Sequence, residues 1–65
     1  MKLKRLRLLC DDHAFVKVII HKTQQEIEFH EMELDEAIKE FPDIFEMEIL
    51  LDYYDPEEMK HYFIV

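Results

Sequence analysis

The side chains able to do chemistry in this 65-residue chain are above all carboxylates, sixteen of them against eight lysines and arginines. Acid–base catalysis by two carboxylates requires that a cleft hold them in different environments. Asp11-Asp12 and Glu57-Glu58 are the adjacent pairs that could be read this way. A domain of this length buries only about 60% of its unfolded surface and can hardly enclose a substrate. No catalytic residue is therefore assigned, and the chain is not expected to be an enzyme. The absences agree. Without Ser, Thr23 is the only aliphatic hydroxyl, and without Gly there is neither a P-loop nor a dinucleotide fingerprint.

Metal chemistry has one local candidate, Cys10-Asp11-Asp12-His13, a Cys-x-x-His run. A zinc site needs a second pair at ligand spacing, and His21, His30 and His61 are scattered instead. A free cysteine at the end of a strand, followed by a solvated turn, accounts for the run more simply. No metal and no cofactor are expected. A lone cysteine also cannot close an internal disulfide, which suits a reducing, cytoplasmic location.

Charge is distributed unevenly. Residues 1–22 carry six bases against two acids, net +4, and residues 23–65 carry two bases against fourteen acids, net −12. Such asymmetry bears on partners and association rather than on fold. An acidic excess argues against direct binding of nucleic acid and favours basic protein surfaces. The basic start, Lys2 to Cys10, contains only three consecutive apolar residues, too few for a signal peptide. No stretch approaches the roughly 20 apolar residues of a membrane span. The chain is expected to be complete from its initiator methionine, with no membrane partner.

The elements that must position these carboxylates follow from periodicity. Arg5 to Cys10 alternates as a first strand, with Leu6, Leu8 and Cys10 on one side. Asp11-Asp12 marks a turn, and Ala14 to His21 is a second, β-branched strand with apolar residues on both faces. Lys22 to Gln25 connects it to a short strand, Glu26 to His30, whose dry side is Ile27 and Phe29. Leu34, Ala37, Ile38 and Phe41 recur at helical spacing, and Pro42 disfavours continuing that helix. Phe45, Met47, Ile49, Leu51 and Tyr53 alternate with Glu46, Glu48, Leu50, Asp52 and Tyr54 as the longest strand. Asp55 to Glu58 makes a tight turn before a last strand over residues 60–65. The expected fold is a single α+β domain, residues 1–65, with a small antiparallel sheet in the order β-β-β-α-β-β and one helix packed on a face.

On that framework Glu26 with Glu28, and Glu46 with Glu48, form rows of charge about 7 Å apart on a solvent face. Spaced carboxylates on a rigid surface can stand in for the phosphates of a nucleic-acid strand. Glu26, Glu28, Glu46, Glu48 and Asp52 are the expected charge contacts to a partner, with Leu50 and Tyr54 as a neighbouring apolar patch. Surplus apolar residues, Ile19, Leu50, Tyr54 and Ile64, point to a homodimer or an exposed partner site. The competing account is a small homodimeric structural or adaptor protein whose acids only keep it in solution.

The succession Glu26 to His30, Leu34 to Phe41 and Phe45 to Asp52 resembles the layout of the small phage-encoded uracil-DNA glycosylase inhibitors. The likeness spans 27 residues, 26 to 52. It implies an acidic sheet-plus-helix protein that blocks the basic DNA-binding groove of a nucleic-acid-handling enzyme in the host cytoplasm, in some cases as a dimer. Phage anti-CRISPR proteins are similar in size and charge, so what the resemblance implies is an inhibitor of that style.

Overall fold

In the computed structural model, residues 1–10 and 13–65 are described, and the expected turn at Asp11-Asp12 lies outside them. Two antiparallel hairpins flank a helical crossover. Strands β1 (Phe15–Ile19) and β2 (Glu26–His30) form the first, and β3 (Leu51–Asp55) and β4 (Lys60–Ile64) the second. Between them lie a 3-10 turn (Glu31–Glu33), helix α1 (Leu34–Glu40) and the single turn α2 (Pro42–Phe45). The strand order is β2-β1-β4-β3, and the central pair, β1 with β4, is parallel. The α+β class and the helix on one face are as expected. The sheet, however, is mixed and has four strands. The crossover returns the chain so that the second hairpin docks beside the first with β4 running along β1, a long-range pairing that local patterning does not encode.

The expected first strand, Arg5 to Cys10, is instead part of a 3-10 helix over Leu3–Leu8. Leu3 and Leu6 are fully buried, while Leu8 is 71% exposed. A spacing of three is the 3-10 repeat, so those two leucines share one face and seal the end of the core. Ahead of the helix, the Leu3 amide donates to the Met47 carbonyl and the Ile49 amide to the Met1 carbonyl, around an isolated Lys2–Glu48 bridge.

The long strand expected from Phe45 to Tyr54 is also corrected. Phe45 closes α2, Met47 bends out of it, Glu48 bridges to Lys2 of the N-terminal segment, and only from Leu51 does the chain join the sheet. Leu51 is in register with Ile64, and the Leu50 amide donates to the carbonyl of that same Ile64. Two residues set against one is the geometry of a β-bulge, and it shifts the alternation by one. Met47 and Ile49 therefore pack on the core, whereas Leu51 and Tyr53 point to the far face of the sheet and Asp52 to the near one.

Local signals explain the remaining boundaries. His30 and Glu33 form a capping box: the His30 imidazole accepts from the Met32 amide and the Glu33 carboxylate from the His30 amide. Thus the helical segment begins earlier than Leu34, with the capping box ahead of it. Phe41 leaves helical geometry, and Pro42 starts a new turn at its favoured first position. With no Gly or Asn available, His13, Gln24 and Met59 take positive φ at the chain's reversals.

The core gathers Val16, Val18, Ile20, Phe63 and Val65 of the sheet against Leu3, Leu6, Leu34, Ala37 and Phe45. Side chains of the opposite parity form the other face: Phe15, Lys17 and Ile19 of β1; Lys60, Tyr62 and Ile64 of β4; Leu51 and Tyr53 of β3; Glu26 and Glu28 of β2. None of the helical segments packs on it among the described residues. No helix among them is long and apolar enough to cross a membrane.

Candidate functional site

The carboxylates divide according to whether the fold supplies them with a cation. Glu46 and Glu48 are not on a strand, and both are engaged at home. Lys2 and Lys4 each place Nζ 2.9 Å from Glu46, and the Met1 amino group lies 2.8 Å from Glu48. Hydrogen bonds from Lys2 and Lys4 hold the Glu46 carboxyl below the usual carboxylate range, and that from the Met1 amino group does the same for Glu48. The basic start of the chain is thus the counter-charge for these acids rather than a surface of its own.

A third engaged acid is Glu31, 6% exposed. Its carboxylate accepts from the Arg7 guanidinium and from the His13 amide at 3.3 Å, while Arg7 also donates to the Glu31 carbonyl. The Arg7 bond, more than any other contact, depresses the Glu31 carboxyl below its ordinary value. This pair ties the N-terminal 3-10 helix to the start of the crossover.

Glu26 and Glu28 project from β2 on the uncovered face, as the alternation requires. Lys17 Nζ sits 3.3 Å from Glu26 and 3.7 Å from Glu28, and Lys60 Nζ is 3.2 Å from Glu28. The hydrogen bond from Lys60 lowers the Glu28 carboxyl, and that to Glu26 raises the Lys17 ammonium. Beside them Tyr53 stacks on Tyr62 at 4.8 Å, and the Tyr62 hydroxyl donates to Glu58 at 2.8 Å. That bond pushes the phenol up to about 12, which keeps it a donor.

Asp52 and Tyr54 belong to the opposite, helix-side face. Asp52 Oδ2 is 3.6 Å from the buried Nε2 of His61, and the Tyr54 ring lies 6.2 Å from the His61 ring. Leu50, 65% exposed at the bulge, borders a small apolar hollow with Met47 and Val65. The seven residues expected to form one surface therefore occupy separate places: the β2 face, the N-terminal bridge, and the β3 margin.

The acids without an ion pair among the described residues lie elsewhere. Glu33 lies at the start of the crossover, Asp55 and Glu57 lie at the β3–β4 turn, and Glu36, Glu40 and Asp43 stand exposed on α1 and α2, where neither Lys39 nor any other base comes within ion-pairing distance. Glu36, Glu40 and Asp43 overlook the free edge of β2 across two neighbouring hollows. One, of about 350 Å³, is lined by Glu26, Ile27, Glu40, Phe41, Asp43 and Ile44. The other, of about 140 Å³, is lined by Glu28, Phe29, Glu33, Glu36, Glu40 and Phe41. Both share Glu40 and Phe41, so they lie side by side along the β2 flank as a groove with apolar and acidic walls. The helical spacing of Leu34, Ala37, Ile38 and Phe41 leaves Glu36 and Glu40 off the apolar face. That Asp43 joins them, and that all three overlook β2, depends on the break at Pro42 and on tertiary packing.

Cys10 is half-buried, and His13 Nδ1 lies 3.3 Å from the Met32 sulfur. Among the described residues no group of three or more His, Cys, Asp or Glu side chains is placed to hold a metal ion. What the arrangement can do is attract and seat cationic groups along the β2–α1 flank. No family model, curated protein or solved structure matches the chain, so the groove stands on its own geometry.

Proposed function

We propose that this chain is a non-enzymatic inhibitor that occupies the basic groove of a nucleic-acid-handling enzyme, presenting carboxylates where the enzyme expects phosphates. The observation that carries this reading is the flank of Glu36, Glu40 and Asp43 facing the β2 edge, exposed and without internal counter-ions. Glu26 and Glu28 extend the same negative region onto the neighbouring face, and the net charge of −8 steers a basic partner toward it. Uracil-DNA glycosylase, to whose inhibitors the chain shows a pattern-level likeness, is the first enzyme to try.

The test is capture from bacterial lysate on the tagged protein, followed by elution with duplex and single-stranded DNA, alongside direct inhibition of uracil excision. A nucleic-acid-binding enzyme that DNA releases, and that an E36Q/E40Q/D43N variant fails to capture, supports mimicry. Capture that is indifferent to DNA, or is lost with E46Q/E48Q instead, counts against it.

A homodimeric adaptor is the second reading, favoured by a different observation. The uncovered sheet face carries Phe15, Ile19, Leu51, Tyr53 and Ile64 side by side, and Phe15 is 54% exposed. Such a surface fits a partner copy. Sedimentation of the wild type against L51K distinguishes it: an adaptor of this kind dissociates on substitution, and a monomeric inhibitor is unaffected.

A further inference from the structure

The free edge of β2 offers more than charge. In the β1–β2 ladder the Ile20 amide bonds the Gln25 carbonyl and the Glu31 amide bonds the Ala14 carbonyl. Antiparallel alternation then directs the backbone of Gln25, Ile27, Phe29 and Glu31 toward β1, and that of Glu26, Glu28 and His30 outward. The His30 amide is taken by the Glu33 carboxylate. Glu26 and Glu28 are left with two amides and two carbonyls aimed outward beside the groove, and among the described residues no strand of the sheet lies beyond them. An exposed edge of this kind is a template for a further strand unless something blocks it. The opposite edge has such a block in the bulge at Leu50 and Leu51, whereas β2 contains neither a bulge nor a proline.

We propose that the β2 edge accepts an extended, lysine- or arginine-bearing segment of the partner as a fifth strand, seated in the groove between β2 and the α1–α2 flank. The inference rests on the reading of the partner as a basic protein and specifies how that partner is held. Charge selects the occupant. In such a strand alternate side chains enter the groove, where their aliphatic stems lie on Ile27, Phe41 and Ile44 and their cationic ends reach Glu36, Glu40 or Asp43. The intervening side chains meet Glu26 and Glu28. A second copy of β2 on the same edge would instead bring Glu26 and Glu28 against their own counterparts, a like-charge pairing that opposes self-association. The main-chain bonds supply affinity and the alternating acids specificity, as in other strand additions.

The experiment uses the full chain and two capped six-residue peptides. One alternates lysine with valine, and the other has the same charge but carries proline in place of the valines, so that it lacks those main-chain donors. Affinity is measured by calorimetry, and amide exchange at Glu26 and Glu28 by NMR. The expected result is that the lysine–valine peptide slows exchange at both amides about tenfold or more, and that the proline peptide binds at least about tenfold more weakly. E36Q/E40Q should weaken the first peptide about tenfold while its amide footprint is kept. Equal binding of the two peptides, or saturation that leaves both amides exchanging as before, overturns strand addition and leaves a basic partner held by charge alone. If neither peptide binds at low salt, strand addition is again overturned, and failure of DNA-displaceable capture in the same preparation removes the underlying reading as well.

Discussion

The two acidic regions of this molecule are built from the same side chain and are put to opposite uses. At the N-terminal end, Glu31, Glu46 and Glu48 meet Arg7, Lys2, Lys4 and the Met1 amino group, and their charge is consumed in fastening the 3-10 helix over the core. Along α1 and α2, facing β2, Glu36, Glu40 and Asp43 fasten nothing and keep their charge for whatever approaches. Carboxylate number alone therefore does not locate a binding surface. Which acids remain uncompensated once the chain has folded does.

Substitutions can break or sharpen this contrast. The largest effect is expected at Phe45, which is fully buried and whose ring lies 5.7 Å from Phe29, joining the N-terminal cap to the β2 flank. Phe45→Ala should cost about 3–5 kcal/mol, most of the stability of so small a domain, and be seen as loss of the cooperative unfolding transition. Next is Glu31→Gln, which puts a neutral amide in place of the buried carboxylate and takes from the half-exposed Arg7 a much closer partner than Asp35, at 3.9 Å. Its Tm should fall by several degrees in a thermal melt, whereas E36Q/E40Q should hold or raise it.

The same contrast is written in pH. Glu28, Glu31, Glu46 and Glu48 have folded carboxyls below the ordinary value of 4.5. Folding then releases protons, so their contribution is fully present above about pH 4.5 and lost as pH falls through the depressed folded values. Melts between about pH 6 and pH 3 should show Tm declining with acid. The decline should be shallower in E46Q/E48Q, and a decline as steep as in the wild type would mean that the N-terminal ion pairs are not formed in solution.

A smaller effect separates the two hairpins. Gln24 and Met59 both occupy the left-handed region, at φ 61° and 55°. Gln24 offsets the strain with a side-chain bond of 2.7 Å to the His21 carbonyl, while Met59 is 65% exposed and has no such bond. Met59→Gly should stabilise by about 0.5–1 kcal/mol in denaturant titration, and Gln24→Gly by less.

Much of the fold was legible because the signals were local. The β-branched run of β1, the alternation of Glu26 to His30, the helical spacing from Leu34, Pro42 as a break and the turn at Asp55 all act over a few residues. The misreadings have the same origin. Leu6 and Leu8 fit a period of two as well as Leu3 and Leu6 fit a period of three, and burial at the end of the core decides between them. The alternation from Phe45 to Tyr54 is real on each side of Leu50, but a bulge set by pairing with Ile64 changes its phase. The candidate surface was legible only as a class. Glu46 meets Lys2 across 44 residues, a contact no local pattern announces, and the same long-range packing sets Asp43 beside Glu40 above β2.

The parallel seam between β1 and β4 also governs how the chain acquires its structure. Each hairpin closes over a short stretch and can form within microseconds. The seam pairs residues 45 positions apart, Phe15 with Lys60 through Ile19 with Ile64, and cannot be made until both hairpins and the crossover are present. Closing that loop is the slow, entropically costly step. Until it closes, the inner edges of both hairpins stand open, so assembly rate and resistance to aggregation are set along this seam, where the paired Val18 and Phe63 are both fully buried.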